Sequence, residues 1–130
     1  MIAVDTCVIV RWLLRDDPQQ AAAADVLLAE PFFLGVSVVV ELGWVLRTVG
    51  KMDRDKMSRA LGSLLGLPTA CVEHDAHVRW AVERFATRGD FADLIHIAAS
   101  TEADAFATFD KGLLRDAGPN APLSVAIVGH

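Results

Sequence analysis

The chain has 130 residues, 53% of them hydrophobic and 22% charged, with a formal charge of −5. That is enough for one domain with its own core, too apolar for a disordered segment, and too acidic for a DNA reader that relies on a broad basic face. No apolar run approaches the roughly 18 residues needed to cross a bilayer, and no basic segment precedes the apolar N-terminal stretch, so neither a membrane span nor a secretory signal is expected. Cys7 and Cys71 form no CxxC pair. Two lone cysteines fit a reducing, cytoplasmic compartment and do not make a zinc site.

In chain order, residues 1–4 form a short apolar strand. Val8, Ile9, Trp12 and Leu13 then recur at helical spacing, which predicts a helix from about Thr6. Asp17-Pro18 is a helix start, with Asp17 as N-cap and Pro18 in the first turn, and the alanine-rich helix behind it runs from Gln19 to Ala29. Phe32 to Val36 is a second buried strand. Ser37 is the expected cap of a helix reaching about Val49, closed by Gly50. Asp53 opens a helix carrying Met57, Leu61, Leu64 and Leu65, stopped by Gly66 and Pro68. Thr69 to Val72 is a third strand, and His74 or Asp75 caps a helix with Val78, Ala81, Val82 and Phe85 on one face. Arg88-Gly89-Asp90 breaks the chain. An apolar helix then runs from Phe91 or Ala92 to about Glu102, followed by a strand from Ala105 to Phe109, a helical turn from Lys111 to Leu114, and a last strand from Ser124 to Val128. Strands alternate with helices, and each strand is short and apolar without alternation. This pattern predicts one α/β domain over residues 1–130, with a central, mostly parallel sheet between two helical layers.

Four acids interrupt apolar sequence. Asp5 ends Met1-Ile2-Ala3-Val4, Glu41 sits inside Val38 to Leu46, Asp93 opens Leu94 to Ala99, and Asp110 follows Ala105 to Phe109. Only Asp110 has a Lys or Arg within three residues, Lys111. Unpaired carboxylates are costly to bury, so a shared site neutralised by a divalent cation is one explanation. Setting these four charges aside brings the sum from −5 to −1. Asp5 and Asp110 fall just past strand ends, with Glu41 and Asp93 assigned to first turns of helices. Ligands of open parallel sheets bind outside the carboxyl ends of the strands, so the topology can bring all four to one edge. Two carboxylates about 4 Å apart repel by roughly 4 kcal/mol at an effective dielectric near 20. Oxygen ligands favour Mg²⁺ or Mn²⁺, which can activate a water toward phosphorus, so the chemistry implied is phosphodiester hydrolysis. The plainer alternative is that Asp5 caps a helix, Asp110 belongs to a turn, and Asp93 simply suits a helix start.

Other residues carry two readings each. Asp90 either caps the helix at Phe91 or joins the site from one turn away, with capping favoured. His96, on the face of Asp93, and Lys111 read first as structural and solvated residues. Arg11, Arg15, Arg47 and Lys51 are cations for an RNA path or ordinary helix faces, and Trp12, Trp44 and Trp80 read as core or dimer-interface residues before base-stacking platforms.

Val4-Asp5-Thr6-Cys7-Val8-Ile9-Val10-Arg11-Trp12-Leu13 resembles the opening of PIN domains of the VapC-type toxin group. Val36 to Leu42 resembles their second acidic motif, Gly89 to Ala99 their third, and Ala107 to Leu113 their fourth, in the expected order and over nearly the whole chain. The resemblance implies a PIN-like α/β fold and an endoribonuclease toxin of a toxin–antitoxin pair that uses Mg²⁺ or Mn²⁺. It implies Asp5, Glu41, Asp93 and Asp110 as catalytic and metal-binding acids, with Thr6 and Thr108 as supporting hydroxyls. It also implies RNA as substrate, a small antitoxin covering the active-site groove, and a homodimer. Cys7 departs from the family's usual Asn and is expected to loosen the positioning of Asp5. Two other functions fit clustered acids: a phospho-receiver-like module, which would want an acidic pair after the first strand, and a catalytically inactive partner-binding domain.

Overall fold

The computed structural model describes residues 1–129. In chain order the elements are β1 (Ile2–Ala3), α1 (Thr6–Leu14), α2 (Pro18–Leu28), β2 (Phe32–Leu34), α3 (Val36–Thr48), α4 (Arg54–Leu65), β3 (Ala70–Val72), α5 (Asp75–Thr87), α6 (Phe91–Ala99), β4 (Ala105–Thr108), α7 (Lys111–Ala117) and β5 (Ser124–Ile127). The fold is α/β with parallel strands flanked by helices. The hydrogen-bonded ladders are two: β1-β2-β3 and β4-β5, each parallel. Ile2 pairs with Phe32 and Phe32 with Ala70 in the first, and Ala105 with Ser124 in the second.

The core follows the same division. The larger cluster contains Ile9, Phe32, Leu34, Leu42, Leu46, Leu61, Leu64, Val78, Leu94 and Ile95, all essentially without solvent contact. A smaller one, Ile97, Leu113 and Ala117, is walled by Phe106 and Val125. Trp80 of α5 packs against both. No helix among the described residues is long and apolar enough to cross a membrane.

Asp17 and Asp53 cap α2 and α4 through bonds to the Gln20 and Lys56 amides, as their positions ahead of those helices predict. Four expectations change. Ser37 lies inside α3. The N-cap is Gly35, which has no side chain to offer, and Glu73 past the end of β3 takes over, its Oε1 accepting from the Val36 amide at 2.8 Å. The α6 helix stops at Ala99 rather than Glu102, with Ser100 Oγ donating to the His96 carbonyl. The α7 helix runs a turn past Leu114, because Ala117 and Leu113 share its buried face and Gly118, at φ 77°, ends it. Of the two readings of Trp44, core or dimer interface, its 58% exposure removes the first, whereas Trp12 and Trp80 are partly buried.

Candidate functional site

Asp5, Asp93 and Asp110 are each placed by the start of a helix. Asp5 is the N-cap of α1: its Oδ1 accepts from the Thr6 amide at 2.8 Å, and the Cys7 thiol donates to Oδ2 at 3.4 Å. Cys7 therefore still supplies a donor to Asp5. Burial, then the hydrogen bond to Asp5, push the thiol up from its ordinary value, which keeps the proton that makes the contact. Thr6, beside it, is 4% exposed, and its hydroxyl has no partner among the described residues.

Asp90 is the N-cap of α6, its Oδ2 accepting from the Asp93 amide at 3.1 Å. Asp93, in the first turn, is partly buried. Asp110 is the N-cap of α7, its Oδ1 accepting from the Gly112 amide at 2.8 Å, and its own amide donates to Thr108 Oγ1 at 3.0 Å. Thr108 thus fixes the backbone of the acid it precedes. Glu41 stands in the second turn of α3 rather than the first, and it is exposed.

The premise that apolar neighbours bury these acids holds only in part. Asp5, Glu41 and Asp110 are exposed, and Asp93 alone is intermediate. The runs around Glu41 and Asp93 supply the buried faces of α3 and α6, with the acid on another face or at the helix start, whereas Met1, Ile2 and Phe109 of the runs before Asp5 and Asp110 are themselves exposed.

Electrostatics couple some of the acids at longer range. The Asp93 carboxyl is pushed up, first by burial, then by the charge of Asp90, with smaller contributions from Asp110 and Asp116, partly offset by His96. Carboxylates from α6 and from both ends of α7 therefore share a field. Neither Asp5 nor Glu41 is among the charges acting on Asp93. Among the described residues no three His, Cys, Asp or Glu side chains are grouped tightly enough to form a finished metal cage. A cavity of about 850 Å³ is lined by Glu41, Trp44, Arg47, Arg54, Asp90 and Asp116, while Asp5, Asp93 and Asp110 do not line it. Arg47 approaches Asp90 at 3.9 Å, and the Arg54 guanidinium lies over the Phe85 ring at 4.7 Å.

Two cations once open as RNA contacts are already engaged. Arg15 holds Asp25 through both oxygens at 2.8 and 2.9 Å, and Arg11 bonds Gln20 at 2.6 Å and Asp16 at 3.3 Å, so both tie α1 to α2 and the segment between them. Asp116, which also raises the Asp93 carboxyl, lies outside the four acidic motifs. Extending α7 to Gly118 on the period set by Leu113 and Ala117 would have found it.

The family model for the PIN domain matches residues 2–118. The chain belongs to the PIN-domain family. PIN domains are generally metal-dependent nucleases. No curated relative matches the chain. The acids of this PIN domain suit that chemistry in their donors: all are hard carboxylate oxygens, one is held short of positive charge, and an unpartnered buried hydroxyl lies next to Asp5. A carboxylate has about four acceptor sites, so a single cap bond does not exhaust it.

Proposed function

We propose that this PIN domain is a Mg²⁺- or Mn²⁺-dependent endoribonuclease acting in the cytoplasm as the toxin of a toxin–antitoxin pair. The observation that carries the reading is the Asp93 carboxyl, pushed up by burial and then by the charges of Asp90, Asp110 and Asp116, so that added positive charge is favoured there. Asp5, Glu41, Asp93 and Asp110 would hold the cation. When bound, the cation acidifies water and offsets charge on the phosphoryl oxygens.

The chain's own residues do the rest. Asp93, the half-buried acid in the first turn of α6, would orient the attacking water and accept its proton. The Thr6 hydroxyl, buried and unpartnered, orients water or a phosphate oxygen next to Asp5. Thr108 and the Gly112 amide hold Asp110 in register, and Asp90 holds the amide of Asp93. Attack in line with the leaving 3′- or 5′-oxygen then breaks the phosphodiester.

A small antitoxin covering the acidic edge and a homodimer complete the proposal. The 58% exposure of Trp44, one turn beyond Glu41, supports a protein partner there, because a large apolar side chain beside a cavity is typical of contact surfaces. The test is to map RNA ends in cells induced to express the wild type or Asp93→Asn. New, discrete ends and growth arrest are expected with the wild type only. Identical RNA ends in the two cultures would sink the toxin reading.

A further inference from the structure

Asp110 follows β4 of the smaller ladder, and no strand hydrogen bond joins that ladder to β1-β2-β3. Its place relative to Asp93 comes from contacts of α7, the packing of Leu113 and Ala117 on Ile97 of α6 among them. The α7 helix has seven residues, about 10 Å at 1.5 Å per residue, with Asp110 at one end and Asp116 near the other. The far end is gripped by α5. Arg84 Nε donates to the Asp116 carbonyl at 2.6 Å and Arg84 Nη2 to the Arg115 carbonyl at 3.3 Å, while Arg88 Nε lies 3.1 Å from Asp116 Oδ1. The last carbonyls of a helix lack intrahelical partners and carry its negative end, so a guanidinium is a strong cap there. Gly118 makes room for it: a Cβ at that position would lie 2.9 Å from Arg84 Cζ. Thr87 and Arg88 end α5, and Asp90 begins α6 two residues later, so the same elbow that carries Asp93 also holds α7.

We propose that Arg84 is a positioning residue for the acidic site: by clasping the C-terminal end of α7 it holds Asp110 at that helix's other end in register with Asp93. Arg84 touches neither substrate nor cation, and the inference rests on the metal-nuclease reading above. A second arginine on α5 provides the control. Arg79 Nη2 donates to the Leu65 carbonyl at 2.8 Å and so clasps the end of α4 in the same manner, away from α7.

The experiment is Mn²⁺ titration by calorimetry on the wild type, Arg84→Met and Arg79→Met, with thermal unfolding of each. Both variants are expected to lose some thermal stability. Only Arg84→Met is expected to lose Mn²⁺ affinity, by roughly tenfold or more, the size seen when residues that orient metal ligands are removed. Equal Mn²⁺ affinity in Arg84→Met and wild type overturns the proposal, as does an equal loss in both variants. If Arg84→Met does not fold, Arg84→Gln takes its place, with weakened Mn²⁺ binding supporting the clasp and unchanged binding overturning it. A wild type that binds no Mn²⁺ overturns the metal reading and the clasp with it, whereas unchanged binding in Arg84→Met removes the clasp alone.

Discussion

Asp93 carries a carboxyl pushed upward, and Thr6, next to Asp5, carries a buried hydroxyl without a partner. The Asp93 carboxyl titrates above its unfolded value, so between the two values the folded chain binds more protons than the unfolded one. Its contribution to stability is therefore full below the unfolded pKa, near 3.9, and is lost as pH rises through the folded pKa. Asp25 has the opposite sign: the hydrogen bond from Arg15 lowers it, so its contribution is present at neutral pH and lost as pH falls through its folded pKa. Asp93→Asn is expected to raise the Tm of the metal-free protein at pH 7, to flatten the part of the Tm–pH profile just above pH 4, and to reduce cleavage by roughly 10²- to 10⁴-fold, as loss of a general base does. A lower Tm would mean that the negative charge is already paired. For Thr6→Val, chemical denaturation should show unchanged or slightly higher stability, because a buried hydroxyl without a partner carries a desolvation cost of about 1–3 kcal/mol. RNA cleavage should slow in the same variant. A loss of stability would show that the hydroxyl is satisfied in solution.

Between elements, one contact sets how closely two acid-bearing helices approach. A Cβ on Gly43 of α3 would lie 2.2 Å from Phe91 Cδ2 at the start of α6, so the glycine lets the helix bearing Glu41 close against the helix bearing Asp93. Phe91 is in turn fixed edge-to-face on Phe85, with centroids 5.3 Å apart. Gly43→Ala gains about 1 kcal/mol of helix propensity but forces a buried ring to move, which typically costs about 1–3 kcal/mol. The balance favours destabilisation, together with weaker metal binding as Glu41 is pushed outward, and urea denaturation with Mn²⁺ titration checks both. Much at this scale is legible in the sequence and some is not. Asp17 ahead of Pro18 and Asp53 ahead of its helix announce local caps. The cap of α3 does not announce itself, because Glu73 reaches Val36 from 37 positions away, and Ser37 is a plausible decoy. The end of α7 is hidden for a similar reason: Arg84 of α5 stabilises it, and a tertiary bond leaves no period in the chain.

Across the whole molecule, the α/β architecture follows from the alternation of short apolar strands with helices, and the family from the resemblance of the acidic motifs and their order in the chain. Exposure of the acids is not, because it depends on which face of each element turns to the core. Two ladders, two apolar clusters and the α5–α6 elbow between them leave the acidic site spread over parts that a cation would draw together. Binding to the folded state alone adds stability by mass action, about 2.7 kcal/mol at a free concentration a hundred times Kd. Mn²⁺ is therefore expected to raise the Tm of the wild type with a logarithmic dependence on concentration, and to leave that of Asp93→Asn nearly unmoved. Activity of the purified protein on RNA is the most direct measurement. A 5′-labelled RNA incubated with wild type in Mn²⁺ should give discrete fragments that disappear with EDTA and are strongly reduced with Asp93→Asn. Intact RNA in both Mn²⁺ and Mg²⁺, or equal cleavage by Asp93→Asn, would contradict a metal-dependent nuclease built on these acids.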